Sequence, residues 1–480
     1  MNMNKIIDKI KNDEIINLIK NHAQKEYTNC AEIYIVGGTF RDFYLDKENF
    51  DKDIIVDKVE AEEFAKTLTE ALKATFIPLD EENKIYRLML KDKKNCIDIA
   101  SPIGNSIEED LKRRDLTINS IAVNIKTLEI LDFTGGINDL KSKKIKHISE
   151  QNIVDDPLRM LRAYRFQSIL GFEINEELSQ IVCSHAKKIH KSAIERINYE
   201  LLKLFSGKFC DKSLTDMDKT ELLKEILPVV AELKKVPPNT HHHLNLFDHS
   251  IEVVKQIQYF YENSSPEVKA HLEKIDFGGN TRLAHLKLAG FLHDIGKFST
   301  WTIEEETGRH RFIKHDDVGS KMGAKILKSA KFSKKQVDYI TKMIKFHIYP
   351  SHVVNSPEIS EKIYMRFIRK MENDIIDVIT LAISDRLSAR GPAITPEIIN
   401  KNINELNSLL NFYLNIKDEL KPLPKLLCGE EIMEILNIKP TKHLGEVIKS
   451  LKEAQISGDI STKDEATDFV KHLDIKTETK

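Results

Sequence analysis

No apolar run in this 480-residue chain approaches the length of a helical membrane span, which argues against an integral membrane protein. Cysteine is sparse: Cys30, Cys96, Cys183, Cys210 and Cys428 are scattered and form no CxxC pair, so a reduced, cytoplasmic compartment is expected. Charge of one sign is also lacking. The net charge is −2, so nothing global advertises nucleic acid, and any polyanion must be met by a local patch. The N-terminal stretch lacks the uninterrupted apolar core of a signal peptide, because Asp8, Asp13 and Glu14 interrupt Ile6, Ile7, Ile10, Ile15, Ile16 and Ile19. Its spacing predicts an amphipathic surface helix over residues 1–27. Internal repeats and long low-complexity tracts are absent too. What is present is 31% charged and 41% apolar residues, the make-up of a globular protein, and a length sufficient for about two to four domains.

Residues 33–135 alternate strand-like runs with helical stretches. Ile33–Val36, Ile54–Val56, Ile85–Leu90, Cys96–Ala100, Ile121–Ile125 and Glu129–Phe133 read as strands, and Glu62 to Ala74 as a helix. This predicts an α+β domain with a small mixed sheet. From about residue 150 the pattern turns almost wholly helical, with Pro237-Pro238 and Lys421-Pro422-Leu423-Pro424 as joints. The cluster Lys141, Lys143, Lys144 and Lys146, followed by Lys187, Lys188 and Lys191, is one candidate for such a basic patch. Such clusters are more often solvated faces than nucleic-acid sites.

The chemistry concentrates first in residues 33–56. A strand runs into Gly37-Gly38 and a helix beginning near Phe40 that carries Arg41. Glycines let backbone N–H groups turn toward a phosphate that a Cβ would fend off. On the next strand, period two puts Asp51 and Asp53 on one face, where they could share divalent cations. Downstream, Arg113-Arg114-Asp115-Leu116-Thr117-Ile118-Asn119 would, if helical, set Asp115 and Asn119 four apart beside Arg114, a grip for ribose and phosphate. Then Asp156-Pro157 starts a helix on which Arg159, Arg162 and Arg165 recur every three residues and Leu158, Leu161 and Phe166 face the core. A carboxylate accepts from an exocyclic amine and an arginine donates to an unprotonated ring nitrogen. Asp156 with Arg159 would thus admit cytosine and adenine, which show that edge, and reject uracil and guanine, which show the reverse. Each feature alone has a bland reading, as turn punctuation, an edge strand or a salt-bridged helix face.

Their order resembles one family closely. GGxxRD, DxD, RRDxTxNxxA, DDPxRxLRAxRF and Glu195-Arg196-Ile197 are similar to the motifs of class II tRNA nucleotidyltransferases, the CCA-adding enzymes, with bacterial poly(A) polymerases as relatives. The resemblance covers about residues 30–205. It implies that Asp51 and Asp53 bind catalytic Mg²⁺, and that Gly37, Gly38 and Arg41 hold the incoming triphosphate. It gives Arg114, Asp115 and Asn119 the ribose and phosphate, and Asp156 and Arg159 the base, with help from Arg162 and Arg165. Glu195 and Arg196 would brace the helices around the site. The implied reaction is attack of the tRNA 3′-hydroxyl on the α-phosphate of CTP or ATP with release of pyrophosphate. Asp155 stands where the family usually has Glu. The glycine- and arginine-rich strand of poly(A) polymerases is missing near Asn83–Leu88, which favours tRNA. These motifs do not separate full CCA addition from CC-only or A-only addition.

Eleven of the 17 histidines fall between His241 and His352. His293-Asp294 sits in an apolar context where costly polar groups need a metal or a hydrogen bond, whereas His271 and His285 suit hydrogen-bonded core positions. His249, His293, Asp294 and Asp385 resemble the ligand set of the HD phosphohydrolase superfamily. That implies a second divalent metal, with His315 and His347 as additional ligands or phosphate contacts. A metal-dependent phosphohydrolase is therefore the rival reading of function. The expected organisation is a nucleotidyltransferase head (1–145), an all-α neck (146–235), an HD-type helical domain (236–400) and a helical tail (401–480). The tail has no catalytic cluster.

Overall fold

The computed structural model describes residues 3–27, 30–240, 243–357, 360–420, 422–438, 440 and 442–473; Lys421 of the second proline joint lies outside them. The chain forms two compact units, Met1–Pro228 and Val229–Lys480. Among the described residues no helix is long and apolar enough to cross a membrane.

In the first unit, seven strands form one mixed sheet: β1 (Glu32–Val36), β2 (Asp51–Asp57), β3 (Thr75–Asp80), β4 (Ile85–Met89), β5 (Cys96–Ala100), β6 (Ala122–Asn124) and β7 (Ile130–Leu131). Their spatial order is β3-β4-β5-β2-β1-β6-β7. Only β2 and β5 run parallel, the remaining neighbours being antiparallel. Ile33, Ile35, Ile54, Val56, Ile97 and Ile99 are buried on the central strands, and the Ala61–Leu72 helix buries Phe64, Ala65 and Leu68. That apolar middle fixes the register of β2 and β5.

Three sequence expectations need correction. The N-terminal amphipathic stretch is two helices, Met3–Asn12 and Glu14–Glu26, because Asp13 is extended and its carboxylate caps the Ile16 N–H. Strand β3 went unread; it is an edge strand whose Ile77 and Leu79 are 37% and 47% exposed, so no buried face marked it. The segment around Asp115 is no α-helix. The Ile107–Lys112 helix ends before it, and Thr117–Asn119 forms a 3-10 turn.

The Leu158–Leu170 helix starts after Asp156-Pro157, with Asp156 Oδ1 accepting from Leu158 N–H at 3.3 Å. It ends at Gly171 in a left-handed conformation. Leu158 and Leu161 are buried in the core, whereas Phe166, expected there too, lies on the arginine side, because the helical turn brings it between Arg159 and Arg162. The helix packs beside the Ile194–Ser206 helix.

The second unit is helical, with two-strand ribbons at Ile275–Phe277/Asn280–Thr281 and Trp301–Ile303/His310–Phe312. Its central Arg282–Leu292 helix is buried along its whole length. It packs against the Leu246–Asn263, Lys334–Phe346 and Ile375–Ser388 helices. The C-terminal helices close around their own cluster of Leu427, Ile432, Val447, Leu451 and Val470.

Candidate active site and metal centre

The twelve residues that the sequence assigns to nucleotide chemistry line one cavity of about 890 Å³ in the first unit. The glycine turn is dictated by crowding. Gly37 has φ +62°, and a Cβ there would meet Arg114 Nη1 at 3.1 Å and Asp53 Oδ2 at 3.2 Å. The Gly38 N–H donates to Asp53 Oδ2 at 3.2 Å. On β2, Lys52 points the opposite way, is buried, and pairs with Asp13 at 3.2 Å. Asp51 and Asp53 therefore share the cavity side. Thr39 Oγ1 accepts from the Asp53 N–H at 2.9 Å and donates to the Asp51 carbonyl at 3.3 Å. The Cys96 thiol donates to Asp51 Oδ1 at 2.8 Å. Burial pushes Asp53 up to about 6, the charge of Asp98 adding to it while Arg114, the Gly38 N–H and Arg41 pull down.

Asp98 was missed by sequence reading. Parallel pairing sets it beside Asp53, and antiparallel pairing sets Arg87 beside it, where the guanidinium grips the carboxylate with two bonds of 2.7 Å. The signal was available: an acid amid the apolar residues of Cys96–Ala100. A divalent cation fits this corner, since it would offset the like charges of Asp53 and Asp98 in a partly desolvated place.

The arginines form one network. Arg41 Nη1 donates to Asn119 Oδ1 at 2.6 Å, and Asn119 Nδ2 donates to Asp115 Oδ1 at 3.1 Å. Asp115 and Asn119 thus meet without the helix that the sequence suggested. Arg162 Nε donates to Asp115 Oδ2 at 2.8 Å. Burial would raise Asp115, but Arg162, Asn119 and the Leu116 N–H hold it well below the carboxylate range. Glu200, 4% exposed and also missed, pairs with both Arg162 and Arg165, at 3.3 and 3.1 Å. Phe166 lies beneath Arg41, Arg165 and Arg162, 4.8, 4.2 and 5.8 Å from its ring centre. Arg114 holds Asp110 through Nε and Nη2 at 3.0 and 2.9 Å. Asp156 and Arg159 line the cavity without touching the same partner. Asp156 pairs with Arg196 at 3.0 Å, and Arg159 Nη1 donates to the carbonyls of Arg113 and Asn152 at 2.7 and 3.2 Å.

In the second unit His249, His293, Asp294 and Asp385 converge in the interior. His249 Nε2 lies 3.1 Å from Asp385 Oδ1 and 3.7 Å from Asp294 Oδ2, and His293 Nε2 lies 3.2 Å from Asp294 Oδ2. On the other side of Asp294, Oδ1 faces His315 and His347 at 3.3 and 3.5 Å. His249, His293 and Asp294 form one group of metal-ligand spacing, and Asp294, His315 and His347 another. The imidazoles of His293, His315 and His347 direct Nδ1 at the carbonyls of Gly290, Phe312 and Ile344, at 2.7, 2.9 and 2.6 Å. This makes Nδ1 a donor and turns Nε2 inward. His293 Nε2, both Asp294 oxygens and Asp385 Oδ1 are buried without a hydrogen bond of proper geometry. Burial holds His249 and His347 below the ordinary histidine range. Burial alone would raise Asp294 and Asp385, yet His293 and Lys297 beside the first, and His249 and His293 beside the second, keep both anionic. Burial would lower His293, but Asp294 and Asp385 raise it to about 10; a divalent metal would replace that proton, since neutral imidazoles and carboxylates are the forms that bind one. By contrast, His271 is satisfied by Asp377 at 2.7 Å and His285 by the Thr281 carbonyl at 2.9 Å.

Comparison with known proteins agrees with this division. Residues 33–146 match the poly A polymerase head domain, 171–234 the probable RNA and SrmB-binding site of polymerase A, and 246–390 the HD domain. The A-adding tRNA nucleotidyltransferase of Deinococcus radiodurans is 28% identical over 441 residues, 91% of this chain and 94% of that protein. The CC-adding tRNA nucleotidyltransferase of Thermus thermophilus is 27% identical over 454 residues, covering 94% and 95%. The Thermotoga maritima CCA-adding enzyme, solved in complex with tRNA, shares the fold at a TM-score of 0.57 and 22% identity over 98% of each chain. With its glycine turn, paired aspartates and arginine helix ahead of a histidine–aspartate centre, the chain carries a poly A polymerase head domain, a polymerase A RNA-binding region and an HD domain, and its relatives along more than nine-tenths of its length are tRNA nucleotidyltransferases.

Proposed function

We propose that this protein adds C and A to the 3′ end of tRNA from CTP and ATP without a nucleic-acid template, in the cytoplasm. The observation that carries the reading is the gathering of the Gly37-Gly38 turn, Asp51, Asp53 and the arginine helix around one cavity. Asp51 and Asp53 would hold Mg²⁺, which when bound polarises the α-phosphate and the attacking hydroxyl. The primer 3′-oxygen bonds to the α-phosphorus, the bond to the β-phosphate oxygen breaks, and pyrophosphate leaves. Gly38 N–H and Arg41 orient the triphosphate. Arg114, Asp115 and Asn119 set the ribose. Asp156 and Arg159 read the base once Asp156 leaves Arg196 and Arg159 leaves the main-chain carbonyls, so base reading needs an exchange of partners. The head, neck, HD and tail boundaries at 145, 235 and 400 go with this reading.

A second reading is a specialist that adds only A or only CC. It is favoured by relatives matched over more than nine-tenths of this chain, among them an A-adding and two CC-adding enzymes. In either case His249, His293, Asp294 and Asp385 would hold a divalent metal, with His315 and His347 on a second, and could support phosphoester hydrolysis. The deciding experiment incubates the protein with Mg²⁺, each labelled nucleotide singly, and tRNAs ending before the first C, after CC, or complete. C then A incorporation, lost in Asp51→Ala, supports the first reading. Single-nucleotide products move it to the second, and long A tails to a poly(A) polymerase. No incorporation together with metal-dependent phosphate release leaves the hydrolase.

A further inference from the structure

Among the described residues, three aromatic side chains line the transferase cavity: Phe50, Phe166 and Tyr199. Two of the rings are already engaged. Phe166 is 6% exposed and lies under the guanidiniums of Arg41, Arg162 and Arg165, and Phe50 carries the Lys94 ammonium 3.9 Å from its ring centre. Tyr199 differs, being 53% exposed at the cavity wall. A lone surface aromatic calls for no explanation, but one on the wall of a reaction cavity offers a ligand an open face.

The Ile194–Ser206 helix fixes where that ring stands. Ile197, Leu201, Leu204 and Phe205 are buried on its inner face, and Glu200 anchors it by pairing with Arg162 and Arg165 at 3.3 and 3.1 Å. Arg196, Tyr199 and Lys203, spaced three and then four residues apart, share the outer side. Arg196 meets Asp156, the carboxylate assigned to the incoming base, at 3.0 Å, so Tyr199 stands about one helical turn, roughly 5.4 Å, from that end of the cavity. The Lys203 ammonium lies 5.6 Å from the tyrosine ring centre. An aromatic ring with a cation beside it is the combination that grips a single-stranded nucleotide, the base by stacking and the phosphate by charge.

We propose that Tyr199 stacks on the 3′-terminal base of the RNA primer, with Lys203 against the phosphate behind that base. This seat for the second substrate rests on the transfer reading. It also meets a chemical need of that reaction. The incoming base is chosen by its hydrogen-bonding edge, whereas the terminal base of the primer changes as the 3′ end grows, from the base that precedes the first C to C itself. A seat that read edges would turn away some of these ends. Every base has a π-face, so a stacking ring accepts them all.

The test uses the full-length protein with tRNAs ending before the first C and after CC, and a parallel set whose terminal base is a fluorescent purine analogue that responds to stacking. Tyr199→Ala should raise KM for tRNA about tenfold or more, with KM for the nucleotide within about twofold of wild type. Tyr199→Phe keeps the ring and should bring KM for tRNA back to within about twofold. Lys203→Ala should raise KM for tRNA by a smaller factor and flatten its dependence on salt. Saturating wild-type protein should change the emission of the analogue, and saturating Tyr199→Ala should not. Nucleotide addition with KM for tRNA and emission both unaltered in Tyr199→Ala overturns the stacking seat while the transfer reading stands. So does a Tyr199→Phe protein as impaired as Tyr199→Ala. An emission change that Tyr199→Ala abolishes, in a protein that adds no nucleotide, supports the stacking seat and sinks the transfer reading.

Discussion

The charged groups of the transferase cavity are paired with one another, whereas several at the HD centre lie buried in mutual reach without a hydrogen bond. In the first, Arg114 rests on Asp110, Arg162 and Arg165 on Glu200, and Arg196 on Asp156. Such a surface keeps its shape at rest, and on the proposed function it would exchange partners when a polyanion arrives. In the second, His293 Nε2, both Asp294 oxygens and Asp385 Oδ1 are buried without a hydrogen bond. That arrangement is costly without a cation, and cations on the two sides of Asp294 would offset it. On the proposed function, the first site receives a large anionic ligand that comes and goes, and the second holds a resident metal.

The comparison breaks most sharply in a reciprocal pair of variants. Asp53→Asn should lower nucleotide addition by roughly 10³-fold or more, on the order of 4 kcal/mol of transition-state stabilisation, with metal content at the HD centre unchanged. Asp294→Asn should remove metal from that centre, measured by equilibrium dialysis with Mn²⁺, and leave addition within about twofold of wild type, since Asp294 lies in the unit that does not hold the cavity. A large loss of addition in Asp294→Asn would refute their independence.

A smaller effect separates the HD centre from the scaffold that supports it. Asp377, fully buried, accepts from Arg282 at 2.9 Å, from Tyr339 at 2.6 Å and meets His271 at 2.7 Å. Burial would raise it, but His271 and Arg282 hold it below the carboxylate range. Asp377→Ala leaves Arg282 with Asp276 and Asp374 but removes the partner of His271 and Tyr339, and should destabilise the second unit by about 1–3 kcal/mol, read by urea unfolding. The sign with pH follows from the depressed value. The stabilisation is present above the unfolded pKa of about 4 and is lost as pH falls through the folded one. A wild-type second unit that keeps its full stability from pH 5 to pH 2.5 would contradict this.

How much of both sites could be read in advance depended on whether a residue announced itself locally. Gly37-Gly38, Asp51, Asp53 and His293-Asp294 are polar or special residues interrupting apolar strands and helices, and these stood out. Asp98 also interrupts an apolar strand, but only the β2–β5 parallel register ties it to the site, and Glu200 reaches the site only through helix packing. Strand β3 escaped for the opposite reason, since an exposed edge has no buried period. Asp115 and Asn119 were joined correctly on a wrong premise: the helix is absent, and a 3-10 turn with a 3.1 Å side-chain bond does the same work.

The smallest prediction concerns the one pair that the structure does not bring together. Arg159 spends its guanidinium on the carbonyls of Arg113 and Asn152, and Asp156 is held by Arg196. If the two read a base jointly, each must first leave its resting partner. Arg159→Ala should then relax discrimination of CTP and ATP against UTP and GTP by about tenfold, roughly 1.4 kcal/mol, with tRNA affinity within about twofold. Arg196→Ala frees Asp156 without touching the reading edge, so it should alter KM for the correct nucleotide while leaving the choice of base intact. Retained selectivity in Arg159→Ala, or relaxed selectivity in Arg196→Ala, would place base choice on other side chains of the cavity, and the resting ion pair would then be only a brace for the arginine helix.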